Sequence, residues 1–135
     1  MSVTNLILST LLPSSQTKFA ELVAELSTSE EKKFVFAELL DLLSRLSPAE
    51  FRTAVAEQPP VSLSPYWANY LAATVEQAAA QKDVAPPSWT SEVQPLEHPV
   101  FGSELRSLRH HLLTHSPPPF SRRNLFIDTA VGGRV

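Results

Sequence analysis

The chain of 135 residues carries 11 Lys and Arg against 14 Asp and Glu, a net charge of −3, with 43% hydrophobic side chains and no cysteine. That apolar fraction and low net charge exclude a chain disordered by composition, and the length suits one domain built on one core. The lack of cysteine excludes a disulfide framework and thiolate chemistry and removes the commonest structural zinc ligand.

The first twelve residues, Met1 to Leu12, have no basic start of the kind a signal peptide carries. Their apolar run is also far too short to span a bilayer. Neither export nor membrane insertion is expected, and a cytoplasmic location fits. From Ser14 the chain reads as helix, because Phe19, Leu22, Val23 and Leu26 recur at i, i+3, i+4 and i+7 on one face. Ser27-Thr-Ser-Glu30 matches a capping box and predicts a second helix running to about Leu46. The apolar surface of that helix is broad, with Phe34, Val35, Phe36, Leu39, Leu40, Leu42, Leu43 and Leu46, which places it at the centre of the core or in an interface. Ser47-Pro-Ala-Glu50 is a stronger start signal, since proline suits the first helical position and Glu50 completes the box. The helix it opens ends before Pro59-Pro60. Ser64-Pro65 repeats the arrangement and predicts a helix to about Gln81, with Trp67, Leu71, Val75 and Ala78 on one face.

After Lys82 prolines 86, 87, 95 and 99 interrupt a stretch in which Trp89, Val93, Leu96, Val100 and Phe101 follow no helical or alternating period. An extended arm with separate apolar anchors is expected there, with one further helix over residues 103–114. The prolines at 117 to 119 predict an extended turn, and Arg122-Arg-Asn-Leu-Phe-Ile-Asp128 a short strand. The expected fold is therefore mainly α: a small helical bundle over residues 1–81, and a proline-punctuated arm over 82–135 that joins it in one structural unit. Charge divides unevenly along this plan. Up to Ser103 six Lys and Arg stand against twelve Asp and Glu, giving −6, whereas from Glu104 onward five Arg stand against two acids, giving +3. The basic end is expected to meet an acidic surface, on its own body or on a partner.

Catalytic signals are few. His111 and His115 have the i, i+4 spacing with which two imidazoles hold one metal, but no glutamate follows His111 and no further ligand is near, so neither a metal nor a cofactor is expected. Phe101-Gly-Ser103 is similar to the turn that opens nucleotidyltransferase sites, yet the paired carboxylates that would hold magnesium are missing. No glycine-rich phosphate loop or serine elbow occurs, and the reading is of a protein that is not an enzyme. As a DNA reader, the helix from Pro65 to Gln81 has no Arg or Lys to neutralise phosphate.

From about Tyr66 to Asp128 the chain resembles a group of small bacterial proteins of toxin–antitoxin operons. The resemblance is carried by Tyr66-Trp67, Pro87-Ser-Trp-Thr90, Pro95-Leu-Glu-His-Pro-Val-Phe101, Leu105-Arg-Ser-Leu-Arg109 and, most specifically, Ser116-Pro-Pro-Pro-Phe-Ser-Arg-Arg-Asn-Leu-Phe-Ile-Asp128. It departs from the group at Val100, where tryptophan is common, and at Ser121, where a third arginine is usual. The resemblance implies an antitoxin that binds a co-encoded toxin, one of nucleotidyltransferase type. The expected partner contacts are Trp89, Phe101 and the run Phe120, Arg122, Arg123, Asn124, Leu125, Phe126 and Ile127, because arginine and buried aromatics dominate interfaces. A nucleic-acid-binding regulator and a structural subunit of a larger complex are the alternative readings.

Overall fold

A computed structural model describes residues 14–101 and 116–127, and it is mainly helical. In chain order it contains α1 (Ser15–Thr28), α2 (Lys32–Arg45), α3 (Pro48–Ala54), α4 (Pro65–Gln81), a 3-10 turn (Ser88–Glu92), β1 (Val100–Phe101), the single-turn α5 (Pro118–Ser121) and β2 (Leu125–Phe126). The expected helix over 103–114, with His111 and His115, lies outside the described residues.

Two of the three predicted helix starts form as read. At α3 the Glu50 amide donates to the Ser47 hydroxyl at 3.2 Å and the Ser47 amide donates to the Glu50 carboxylate at 3.0 Å, a closed capping box. At α4 the Trp67 amide donates to the Ser64 hydroxyl, and the helix ends at Gln81 as predicted. The box expected at Ser27 does not form. Instead α1 runs on through Thr28, and the Ser27 hydroxyl donates back to the Ala24 carbonyl at 2.7 Å. Ser47 and Ser64 are each followed by a proline, which suits the first helical position and cannot continue a helix from before it, so each serine is left free to cap. Ser27 has no such neighbour, and a serine in a helical turn is free to bond its own i−3 carbonyl. The next helix therefore begins later, at Lys32, with no side-chain cap.

Helix α4 is the centre of the molecule. It packs against α2, the 3-10 turn and α5, while α1 packs on α2 and α3. Its alanines at 72, 73 and 79 are fully buried, which lets neighbouring backbones approach closely. The broad face of α2 goes mainly into this core, through Val35, Phe36, Leu39, Leu42 and Leu43, and leaves Phe34 pointing outward, 68% exposed. Phe36 stacks on Trp67 with centroids 5.3 Å apart and tilts against Tyr70 at 4.7 Å. Burial raises the phenol pKa of both Tyr66 and Tyr70, and the repulsion between two phenolates so close together raises that of Tyr70 further.

The C-terminal end of α4 closes in a Schellman turn. The Val84 amide donates to Ala79 and the Asp83 amide to Ala80, with Asp83 itself in the left-handed region at φ 56°. Lys82, at the C-cap, extends its ammonium to the Leu46 carbonyl at 2.7 Å and over the Phe51 ring, which ties the end of α4 to the α2–α3 corner.

Beyond Asp83 the described residues lie against the helical body. Val84, Trp89, Val93, Leu96, Val100, Phe120, Leu125 and Ile127 pack on or within the same core as the helices. The strands β1 and β2 pair in parallel, Val100 opposite Leu125 and Phe101 opposite Phe126. A parallel pair needs a crossover connection of roughly a dozen residues or more, and the chain between Phe101 and Leu125 is long enough to provide it. The proline run expected as an extended turn starts a helical turn instead, with proline in the first positions, where no amide donor is required.

Two stability effects follow. Replacing Asp83 by glycine removes the cost of placing a Cβ at positive φ and should raise the unfolding free energy by about 0.5–1 kcal/mol in urea titration. Hydrogen bonds from the Ser47 amide and then the Ser47 hydroxyl lower the Glu50 pKa from its ordinary value of 4.5. A carboxyl lowered on folding stabilises fully above its unfolded pKa and loses that contribution as pH falls through its folded value. The gap in melting temperature between the protein and its Glu50→Gln variant should therefore be largest above pH 4.5 and close below it.

Candidate functional site

The sequence singles out nine partner-contact residues, and the fold divides them. Trp89, Phe120, Arg123, Leu125 and Ile127 are buried in the protein's own core. They are corrected from partner contacts to structural ones. The Trp89 indole donates to the Val55 carbonyl at 2.8 Å, pinning the 3-10 turn to the end of α3. Phe120 meets Tyr70 edge to face at 5.5 Å and fixes α5 on α4.

Arg123 is the most constrained of the set. The residue is 5% exposed and all five N–H groups of its guanidinium are used. Nε and Nη2 form a fork onto the two Glu76 carboxylate oxygens, at 3.4 and 3.0 Å. Nη1 donates to Asn69 Oδ1 at 3.1 Å and to the Val93 carbonyl at 3.0 Å, and Nη2 donates also to the Thr90 carbonyl at 2.6 Å. Asn69, itself buried, sends its amide hydrogens to the Pro65 and Gln94 carbonyls. The basic end thus meets an acidic group on its own body, at least through Arg123 and Glu76. The reason is solvation: a guanidinium in the core requires a carboxylate and a full set of acceptors, and this site supplies both.

Of the other predicted residues Arg122 is exposed, and Phe101, Asn124 and Phe126 are half-buried. Asn124 sits at φ 63°, in the left-handed region, and its side chain donates to the Leu96 carbonyl at 2.6 Å. Its carbonyl accepts from the Val100 amide at 2.8 Å, and the Arg123 carbonyl from the Leu96 amide at 3.2 Å. These bonds align β1 with β2 and stack Phe101 on Phe126, 5.3 Å apart and 25° from parallel. Both rings remain half-buried, and Arg122, exposed, bonds only through Nε to the Pro118 carbonyl among the described residues.

Sequence reasoning missed Asn69 and Glu76 as members of this network. A signal was present, since the two stand at i and i+7 on α4 and are the polar positions of one stripe otherwise filled by Ala72 and Ala73. Among the described residues no group of three or more His, Cys, Asp or Glu side chains converges, and no helix is long and apolar enough to cross a membrane. No protein-family model matches the chain, and neither does any curated protein or solved structure.

Truncating one partner of a buried ion pair strands the other. Arg123→Ala should therefore cost about 3–5 kcal/mol in chemical unfolding. Arg123→Lys should recover only a minor part, because three donors on a point charge do not reproduce the planar fork.

Proposed function

We propose that this chain is a protein-binding module, not an enzyme, and that it acts in the cytosol as an antitoxin that neutralises a co-encoded toxin by direct contact. The observation that carries the reading is the outward side of the C-terminal turn. There the half-buried Phe101–Phe126 stack and the exposed Arg122 are held on a backbone that Arg123 locks to α4 and Asn124 to the Leu96 carbonyl. A preordered aromatic and basic surface loses little entropy on binding, which favours affinity per contact. The terminal amino groups of Arg122 suit a partner carboxylate, such as those that hold magnesium in a nucleotidyltransferase-like toxin. Arg123 drops out of that contact, leaving Arg122 as its one arginine in the turn.

The nucleic-acid reading loses support for a related reason. Helix α4 has nine buried residues and no Lys or Arg before Lys82, so it does not suit a groove. With Arg123 internal, the basic footprint of the turn is halved.

Arg122→Glu should weaken binding of the co-encoded partner at least about tenfold, or 1.4 kcal/mol, and abolish growth rescue on co-expression. The melting temperature should not change, because Arg122 has no part in the core. Calorimetry paired with circular dichroism measures both effects. Binding insensitive to Arg122, Phe101 and Phe126 together, or salt-sensitive capture of oligonucleotides in its place, would remove the reading.

A further inference from the structure

From Arg122 to Ile127 burial alternates residue by residue: Arg122 is exposed, Arg123, Leu125 and Ile127 are buried, and Asn124 and Phe126 are half-buried. A period of two suits a strand laid against a core, but it leaves the pairing of β2 with β1 open to one error. A slip of one residue would turn Leu125 and Ile127 out of the core, which burial forbids. A slip of two keeps the inward face apolar, because Ile127 takes the place of Leu125 opposite Val100 and Leu125 takes that of Arg123. The outward face is not kept. Asp128 would then stand opposite Phe101, where Phe126 now stacks at 5.3 Å.

Apolar burial barely separates these two registers, since leucine and isoleucine exchange at small cost when their surroundings repack. The ladder adds little, because each strand has only two residues. Arg123 is what tells them apart. A slip of two would carry it about 6.5 Å along the strand, far beyond the reach of the fork that Glu76 now receives at 3.4 and 3.0 Å. Among the described residues the Glu76 carboxylate bonds only to Arg123, so it acts on the turn through that guanidinium alone. The Arg123 carbonyl accepts from the Leu96 amide and the Asn124 carbonyl from the Val100 amide, which passes the position of the guanidinium on to β1.

We infer that Glu76 is the positioning residue of the surface formed by Arg122, Phe101 and Phe126: by holding Arg123, it selects the register that stacks Phe126 on Phe101. Its effect on a partner rests on the reading of that surface as the binding face, whereas its effect on the register does not.

The test exchanges the pair for apolar residues of similar volume, Glu76→Leu with Arg123→Met, which keeps the site packed and removes its direction. Such exchanges of a buried ion pair are often neutral for stability, so the urea midpoint should lie well above that of Arg123→Ala. Nuclear Overhauser spectra of the full-length double variant should lose the contacts between the Phe101 and Phe126 rings and show Val100 against Ile127. Calorimetry with the co-encoded partner should show affinity lower by at least about tenfold. Rings still in contact, with Val100 still opposite Leu125, overturn the inference whether or not a partner binds. A shifted register with unchanged affinity upholds the positioning role and removes the surface as the binding face. Should the apolar pair fail to fold, Glu76→Gln gives the answer by hydrogen exchange: the Leu96 and Val100 amides should exchange at least about tenfold faster, and those of Leu39 and Leu43 in α2 at their former rates. No change at Leu96 and Val100, or equal acceleration in α2, overturns the inference.

Discussion

One buried cation ties the described segments C-terminal to α4 to that helix. Arg123 reaches Glu76 and Asn69 on α4, the Thr90 carbonyl in the 3-10 turn and the Val93 carbonyl just after it. Three stretches of chain, α4, the segment from Thr90 to Val93 and the C-terminal turn that carries Arg123, are thereby fixed to one planar group. A hydrophobic contact could hold them together but could not set their register, because apolar burial is non-directional. A guanidinium with five donors in a rigid plane sets direction as well as distance. Removing such a charge from water is expensive, and it is tolerated here because every donor is met and the carboxylate is bound bidentately. Residues that have neither helical nor strand periodicity consequently take up a single arrangement.

That constraint also shapes what the surface can do. Once Arg123 faces inward, Arg122 before it lies exposed to solvent and Asn124 after it bonds the Leu96 carbonyl. The left-handed backbone at Asn124 reverses the chain so that Phe126 comes to lie on Phe101. Asparagine accepts this conformation more readily than most residues, and it adds the side-chain bond that glycine would lack. The outward position of Arg122 is thus a by-product of the internal network, and a change at Arg123 acts on the core whereas one at Arg122 leaves the core untouched.

The helical body and the segment after it differ in how they are stabilised. In the body, caps set the limits of α3 and α4 and apolar stripes bury themselves by periodicity, so each element is largely self-specified. The tail depends on contacts distant in sequence: Trp89 to Val55, Lys82 to Leu46, Arg123 to Glu76, Phe120 to Tyr70. Loss of one such contact is expected to loosen the tail before the body, because local opening follows the density of buried contacts.

The sequence by itself determined the mainly helical class, the serine–proline starts of α3 and α4 and the end of α4. All of these rest on interactions within a few residues, where spacing and capping chemistry are sufficient. The strand near Phe126 also needs its distant partner, since Leu125 pairs with Val100. The sequence did not determine the boundary between α1 and α2, because at Ser27 two local bonds compete and no proline decides between them. Nor did it determine which way the tail faced. Arginines and aromatics spaced by prolines are equally suited to a partner's surface and to the protein's own core, and the residue types are the same in both cases. Only the tertiary structure decided, by placing a carboxylate and an amide of α4 where Arg123 could reach both. The physical reason is that burying a charge is favourable only when its counter-charge and acceptors converge in space, and convergence is not written in the local order of residues.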